Sequence, residues 1–210
     1  MSIRKSATLI IASALETKLN NGFDYKIMLL KRSNKMKVLP GFHVFPGGKH
    51  DAQVDESKEW LSVYNKSKLN GMINKNSLGN LVEARTSAGS IPYEASFRLC
   101  AIRETFEETG LLLATEHDDD QPKALSTYFN KDLSEWHDII KNDSSKFVAM
   151  CLELKLKPDI FSLHEWANWI TPPHEKFRFN TFFFTCFLPK QPASSLIRYI
   201  LHRFLFLFLF

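Results

Sequence analysis

Hydrophobic residues cluster into short segments that predict four strands along the chain. Residues 6–15 and 25–32 are rich in Ile, Leu and Met and flank a polar turn, which predicts two strands that pair with each other. Residues 165–171 and 179–188 predict two further strands, the second being an aromatic run bounded by Pro189. The chain therefore carries strand-forming segments towards both ends, with polar and helical segments between them.

The clearest helix is predicted between Pro92 and Gly110. Ser90 is its expected N-cap, Pro92 lies in the first turn, Glu94 suits the positive end of the helix dipole, and Gly110 ends the helix. At about 100° per residue, its apolar and acidic residues fall on roughly opposite faces. The apolar face carries Leu99, Ile102 and Phe106, and the acidic face carries Glu104, Glu107 and Glu108.

The acidic face is a candidate cation site. Hydrolysis of a pyrophosphate requires neutralisation of a dense negative charge, and hard divalent cations with oxygen ligands supply it. An acidic helical face is usually a solvated surface. Here three crowded carboxylates repel one another unless a cation neutralises them, and a glycine-rich loop that is able to complete a site lies upstream.

That loop spans residues 35–48 and contains a predicted short strand at residues 42–45. It ends in Phe45-Pro46-Gly47-Gly48, and paired glycines allow the backbone to approach a metal or a phosphate closely. On its own this motif is weak, because a plain tight turn has the same composition.

The segment from residue 51 to residue 88 is polar and predicts two helices, at residues 56–65 and 77–88. We expect it to be an insertion that lies outside the main core. After the acidic helix the sequence predicts an acidic loop at residues 116–120 and helices at residues 130–141 and 144–154.

The net charge, the cysteines and the length of the apolar runs exclude some classes of function. A formal charge of +4 over 210 residues suits an anionic small-molecule substrate, but it is too small and too dispersed to indicate nucleic-acid binding. Three cysteines with no CxxC pair favour a reduced, intracellular compartment over a zinc site or a disulfide framework. No stretch approaches the ~20 apolar residues of a membrane helix.

The motif RExxEExG at residues 103–110 resembles the second half of the Nudix box. Members of this family hydrolyse nucleoside diphosphates linked to another group, and the resemblance implies an α/β/α sandwich around a mixed sheet. Counting back from Arg103 places the first glycine of the box at Gly89, but Ala95 stands where a glutamate is usual. Residues 49–88 separate the glycine loop from the box, so the fold is expected to carry a helical insertion there.

The upstream sequence resembles the coenzyme A diphosphatases within this family. Arg32-Ser33, Gly41 and the Phe-Pro-Gly-Gly turn match their signature, with Lys37 where an arginine is usual. The insertion, Trp169-Ile-Thr-Pro and the aromatic strand are similar to the peroxisomal acyl-coenzyme A diphosphatase branch. The implied reaction is hydrolysis of coenzyme A or acyl-coenzyme A to adenosine 3′,5′-bisphosphate and (acyl-)phosphopantetheine.

The resemblance also implies residue roles. Glu104 and Glu108 are expected to bind Mg²⁺ or Mn²⁺, Glu107 to bind a further ion or activate water, and Arg103 to orient the glutamates. The substrate-binding set implied by the resemblance is Arg32, Lys37, Gly47 and Gly48, the first two facing the phosphates and the glycines shaping the loop. His43 and Cys100 are interpreted as packing or surface residues. Trp166 and Trp169 are able to stack on an adenine, but most tryptophans at this spacing are packing residues, and they are interpreted as such.

The end of the chain departs from the resemblance. We expect a Nudix domain over residues 1–195, followed by an atypical hydrophobic tail over residues 196–210 with an alternating Phe-Leu end. The Ser-Lys-Leu-like peroxisomal tripeptide is absent, so cytoplasmic or mitochondrial locations stay open beside the peroxisome. The oligomeric state is left open.

Three other interpretations are left open by the sequence. One is a Nudix hydrolase of another nucleoside diphosphate derivative, such as a nucleotide sugar, a dinucleotide or an RNA cap. Another is a catalytically silent binding module, and the third is a protein anchored to a membrane by the Phe-Leu tail.

Overall fold

The computed structural model describes residues 3–15, 24–35, 40–72, 91–116, 125–126 and 128–193. The strands are β1 (Arg4–Ala14), β2 (Tyr25–Ile27), β3 (Leu30–Lys31), β4 (His43–Val44), β5 (Gly47–Lys49), β6 (Ala114–Thr115), β7 (Lys157–Pro158), β8 (His164–Ile170) and β9 (Phe179–Leu188). The helices are α1 (Ala52–Asp55), α2 (Lys66–Gly71), α3 (Tyr93–Thr109), α4 (Ser134–Asn142) and α5 (Lys146–Glu153), with 3-10 helices at Lys58–Ser62 and Ile160–Ser162.

A mixed five-stranded sheet forms the centre of the fold. Its order is β2-β1-β9-β8, and β5 also pairs with β1. β1 and β9 run parallel in register from Arg4 opposite Phe179 to Ser13 opposite Leu188, whereas the other pairings are antiparallel. β2 and β5 therefore share the edge of β1 that does not face β9, which places the glycine loop beside the first strand of the chain.

Helix α3 packs on one face of this sheet. Alternate residues of β1, among them Leu9 and Ile11, are fully buried in the same core as the apolar residues of α3. On β9 the corresponding residue is Phe182, whose ring centroid lies 4.4 Å from that of Phe97 on the helix. The predicted apolar face of Leu99, Ile102 and Phe106 is confirmed, and each of these side chains is buried.

The predicted strands at residues 6–15, 165–171 and 179–188 and the helices at residues 92–110, 130–141 and 144–154 correspond to observed elements. The strand predicted at residues 25–32 is instead two short strands, because β2 pairs with β1 and β3 pairs with β4. Pro92 is the N-cap of α3 and makes no side-chain capping bond. Ser90 and Gly89 lie outside the described residues, as do residues 77–88, 117–120 and 196–210.

The expectation that the insertion lies outside the main core is wrong for residues 51–72. Val54, Trp60, Tyr64 and Leu69 are all buried in the same hydrophobic cluster as α3. Trp60 donates its indole N–H to the Val54 carbonyl, and the Tyr64 hydroxyl donates to the carbonyl of Pro158. This part of the insertion is therefore built into the core beside the carboxylate helix.

Candidate active site

The last two turns of α3 place its three glutamates beside the glycine strand. Glu104 and Glu108 are four residues apart and project from the same side of the helix. Gly110 then ends the helix at a φ of 75°, a left-handed conformation that favours glycine, and its N–H donates to the Phe106 carbonyl at 2.7 Å. All three glutamate side chains are half-buried rather than solvated.

The paired glycines contact two of these carboxylates directly. The Gly47 N–H donates to Glu108 Oε2 at 3.0 Å. Gly48 lies opposite Ala7, a β1 residue in the core below α3, so a Cβ atom at position 48 would point at the helix and overlap the Glu104 carboxylate. A Cβ at Gly47, whose φ is 150°, would overlap the β1 backbone. Glycine at position 48 thus allows β5 to approach the helix closely, and glycine at position 47 allows it to approach β1.

Arg103 connects the glutamates to the rest of the fold. Its side chain is only 2% exposed, and its Nη1 donates to Glu104 Oε1 at 2.9 Å and to Glu107 Oε1 at 2.7 Å. Its Nη2 also donates to the Lys49 carbonyl at 3.0 Å. The arginine thus fixes two carboxylates and the glycine strand in one hydrogen-bonded cluster.

Asp55 is a site residue that the sequence analysis missed. It is 1% exposed and accepts from Arg103 Nε at 2.8 Å and Nη2 at 3.0 Å, a bidentate pair. Asp55 ends α1, at the start of the insertion, and its Oδ2 also accepts from the backbone N–H of Asp51. Its position 48 residues before Arg103 follows no local periodicity, so only the fold brings the two together.

Burial and mutual repulsion shift the acidity of the cluster. Desolvation raises the pKa of Glu104 to about 7, with Arg103 opposing the shift and Glu107 adding to it. Desolvation also raises the pKa of Glu108 to about 7, against the Gly47 hydrogen bond. The pKa of Glu107 is raised for the same reason, with Arg103 opposing the shift. The cluster therefore holds carboxylates that a bound cation would help to ionise.

The residues present fit a hard divalent cation whose remaining ligands are water or, when it is bound, the phosphates of the substrate. Within residues 3–15, 24–35, 40–72, 91–116, 125–126 and 128–193, no three acidic, imidazole or thiol side chains are gathered into a ligand set. Glu107 is drawn towards Arg103, and Glu104 and Glu108 are the two carboxylates that meet the glycine backbone. Mg²⁺ commonly uses one or two carboxylates together with substrate phosphates and water, so two glutamates beside bare backbone suffice.

A cavity of about 580 Å³ lies on the opposite face of the sheet from α3 and reaches the glycine strand. Gly47 and Gly48 line one end of it together with Arg32 and His43. Arg32 is close enough to Glu108 to oppose the rise of its pKa. Lys37, the other predicted phosphate ligand, lies outside the described residues.

Two residues interpreted from sequence as packing residues line the same cavity. Trp166 and Trp169 on β8 are 63% and 70% exposed, so neither packs in the core. The interpretation of Cys100 as a small buried residue is confirmed, and Cys151 and Cys186 are likewise free and buried. No helix in the part of the chain that the structure describes is long and apolar enough to cross a membrane.

Comparison with known proteins identifies the family. The model of the NUDT19 Nudix domain matches residues 3–201 of this chain. The chain belongs to the Nudix family. Acyl-coenzyme A diphosphatase NUDT19 of Xenopus laevis is 38% identical over 195 residues, covering 84% of this chain and 50% of that protein. Acyl-coenzyme A diphosphatase NUDT19 of Homo sapiens is 33% identical over 188 residues, covering 80% of this chain and 49% of that protein.

A solved structure confirms the Nudix fold. The Nudix hydrolase from Alicyclobacillus acidocaldarius superposes with a TM-score of 0.59 at 22% identity, covering 92% of this chain and 75% of that one. The fold predicted from the RExxEExG resemblance is therefore confirmed as an α/β Nudix fold. The chain spans about half the length of the curated relatives it matches.

Proposed function

We propose that this Nudix chain hydrolyses the diphosphate of coenzyme A or acyl-coenzyme A to adenosine 3′,5′-bisphosphate and (acyl-)phosphopantetheine, using Mg²⁺ or Mn²⁺. The observation that carries the proposal is the contact between the carboxylate helix and the glycine strand, where Glu108 accepts from Gly47 and Glu104 abuts Gly48. The names of the relatives, which are acyl-coenzyme A diphosphatases, support the substrate class.

The chain's residues then have separate tasks. Glu104 and Glu108 hold the cation, which when bound neutralises charge on the diphosphate oxygens. Glu107 accepts a hydrogen bond from Arg103, and its raised pKa suits a group that takes a proton from the attacking water. Arg32 lies in the cavity beside Gly47, where a guanidinium pairs with phosphate oxygens.

Arg103 acts through the carboxylates rather than on the substrate. Because it is buried and bonded to Glu104, Glu107 and Asp55, it fixes the direction in which the first two project. A cation site depends on such orientation, since the ligands must be in place before the ion arrives.

The test is mass spectrometry of the products that the purified chain forms from coenzyme A with Mg²⁺. We expect adenosine 3′,5′-bisphosphate and phosphopantetheine from the wild type. Glu108→Gln keeps the size of the side chain but loses its charge, and we expect it to lower turnover roughly 10²- to 10³-fold. Glu153→Gln, on the exposed side of α5, is the matched control and should leave turnover unchanged.

Parallel assays separate the alternatives. Faster hydrolysis of NADH or ADP-ribose than of coenzyme A would contradict the substrate class while keeping diphosphate hydrolysis. A thermal shift with coenzyme A but no product from any of these substrates would indicate a silent binding module. Near-normal turnover in Glu108→Gln would contradict the proposal that Glu108 binds the cation.

A further inference from the structure

The two exposed tryptophans of β8 share one face of the sheet although they are three residues apart. In a regular strand, residues at this spacing point to opposite faces. The register between β8 and β9 shifts between Glu165 and Ala167, a bulge that places both Trp166 and Trp169 against the cavity. Large apolar side chains at 63% and 70% exposure beside a candidate active site are typical of a binding surface.

The strand register connects these tryptophans to the glycine strand. Trp169 lies opposite Thr181, Thr181 opposite Ser6, and Ser6 opposite Lys49, which forms one row across four strands. At about 4.8 Å between strands, the row places the backbone of Trp169 roughly 14 Å from that of Lys49. Because strand side chains stand roughly perpendicular to the sheet, the Trp169 indole and the glycine strand are separated by about this length, which accommodates one nucleoside.

The floor of the row is made of small hydroxyl side chains. Ser6 and Thr181 hydrogen-bond to each other at 2.7 Å, and Thr8 lies in the next row between Phe183 and Gly47. At the β8 end, the Phe183 ring supports the Trp169 ring, with centroids 5.7 Å apart. The cavity is therefore cationic near Arg32 and the glycines, carries a few hydroxyls among apolar side chains such as Ile10 on its floor, and is aromatic at its far end.

We propose that Trp169, supported by Phe183 and flanked by Trp166, stacks on the purine base of the substrate while the diphosphate lies at Gly47 and Gly48. This inference rests on the proposed function. A purine has a flat face for an exposed indole, and ring and ribose polar groups for the floor hydroxyls. The Ser6 and Thr181 hydroxyls bond to each other under either occupant, whereas the exposed indole of Trp169, supported by Phe183, matches the flat face of a base better than a flexible chain. The purine end is therefore favoured over the acyl end as the occupant.

The test measures binding of adenosine 3′,5′-bisphosphate to the purified chain by quenching of tryptophan fluorescence and by calorimetry. Trp169→Ala should weaken binding on the order of 10-fold, the loss expected from one base–aromatic stack. Trp169→Phe keeps an aromatic ring and should stay within a few-fold of wild type. Phe187→Ala removes an exposed aromatic of β9 outside the cavity and should not change the affinity.

Phosphopantetheine and its acylated form are the comparison probes. We expect Trp169→Ala to leave their affinities unchanged. If the variant instead keeps its affinity for the bisphosphate and loses affinity for the acylated probe, the aromatic end binds the acyl group and the inference is wrong. Hydrolysis of coenzyme A by the same wild-type sample separates the two claims. If the wild type hydrolyses coenzyme A but Trp169→Ala binds adenosine 3′,5′-bisphosphate as tightly as the wild type, only the proposed base-binding role of Trp169 is refuted. If the wild type does not hydrolyse coenzyme A, the proposed function is refuted.

Discussion

Burial raises the pKa of the Glu104 and Glu108 carboxyl groups from the ordinary value of a glutamate to about 7. The cause is burial next to other acids, which disfavours charge in the absence of a cation. Arg103 offsets part of this for Glu104, and the Gly47 N–H offsets part of it for Glu108. A divalent ion would complete the neutralisation, which links cation binding to proton release below pH 7.

This acidity predicts an unusual dependence of stability on pH. The folded-state pKa of Glu108 lies above its unfolded value, so the folded state binds more protons and loses stability as pH rises from about 4.5 through 7. Without divalent ions, Glu108→Gln should remove part of that loss. Its stability relative to wild type should increase between pH 6 and pH 8 by on the order of 1 kcal/mol.

Urea denaturation of both proteins at the two pH values measures this difference. Comparing the variant with the wild type cancels the opposite contribution of His50, whose pKa is lowered by burial and which costs stability as pH falls. Saturating Mg²⁺ should stabilise the wild type more than the variant at pH 8. If the free energy of unfolding of the wild type and the variant changed equally with pH, the pKa of Glu108 would not be raised in the folded state.

At the scale of elements, the short helix α1 is as much a part of the site as α3. Asp55 at its end accepts hydrogen bonds from Nε and Nη2 of Arg103, the two nitrogens that do not bond to the glutamates. The segment that carries it was expected to be peripheral, yet its residues Val54 and Trp60 are buried in the shared core. The insertion therefore stabilises α3 through its buried apolar residues and through the ion pair between Asp55 and Arg103.

Asp55→Asn tests this support. The change leaves a buried guanidinium with one charged partner fewer, and we expect a loss of about 3 to 5 kcal/mol in the free energy of unfolding. Because Arg103 would then draw more strongly on Glu104 and Glu107, the Mg²⁺ concentration for half-maximal turnover should rise as well. Asp138→Asn, an exposed carboxylate on α4, is the control for both measurements. An Asp55→Asn protein with unchanged Mg²⁺ dependence would limit Asp55 to a role in stability.

Local patterns explain which elements could be predicted. The helix at residues 92–110 and the aromatic strand at residues 179–188 have clear periodicity and end signals within their own sequence, and the structure has both. The segment at residues 25–32 is centred on one apolar run at residues 27–30, and its partition between β1 and β4 depends on partners distant in sequence. That Trp166 and Trp169 lie on one face of the sheet could not be predicted, because it depends on a β-bulge that the alternation of polar and apolar residues does not reveal.

At the scale of the whole molecule, the sheet is the part that joins the two halves of the proposed site. β1 pairs with the glycine strand on one edge and with β9 on the other, so it fixes the distance between the carboxylates and the tryptophans. The RExxEExG motif and the glycine loop could be recognised in the sequence because each is a short run. Their contact, and that of Asp55 with Arg103, could not be recognised, because these contacts join residues 61 and 48 positions apart.

The most direct test of the account is calorimetric titration of Mg²⁺ into the wild type, Gly48→Ala and Gly71→Ala. A Cβ at position 48 would fill the space of the Glu104 carboxylate, whereas a Cβ at Gly71 would meet open space. We predict that the wild type and Gly71→Ala bind the ion, with proton release at pH 6, and that Gly48→Ala does not. A wild type that fails to bind Mg²⁺, or a Gly48→Ala protein that binds it as well as the wild type, would contradict the claim that helix and glycine strand form the cation site.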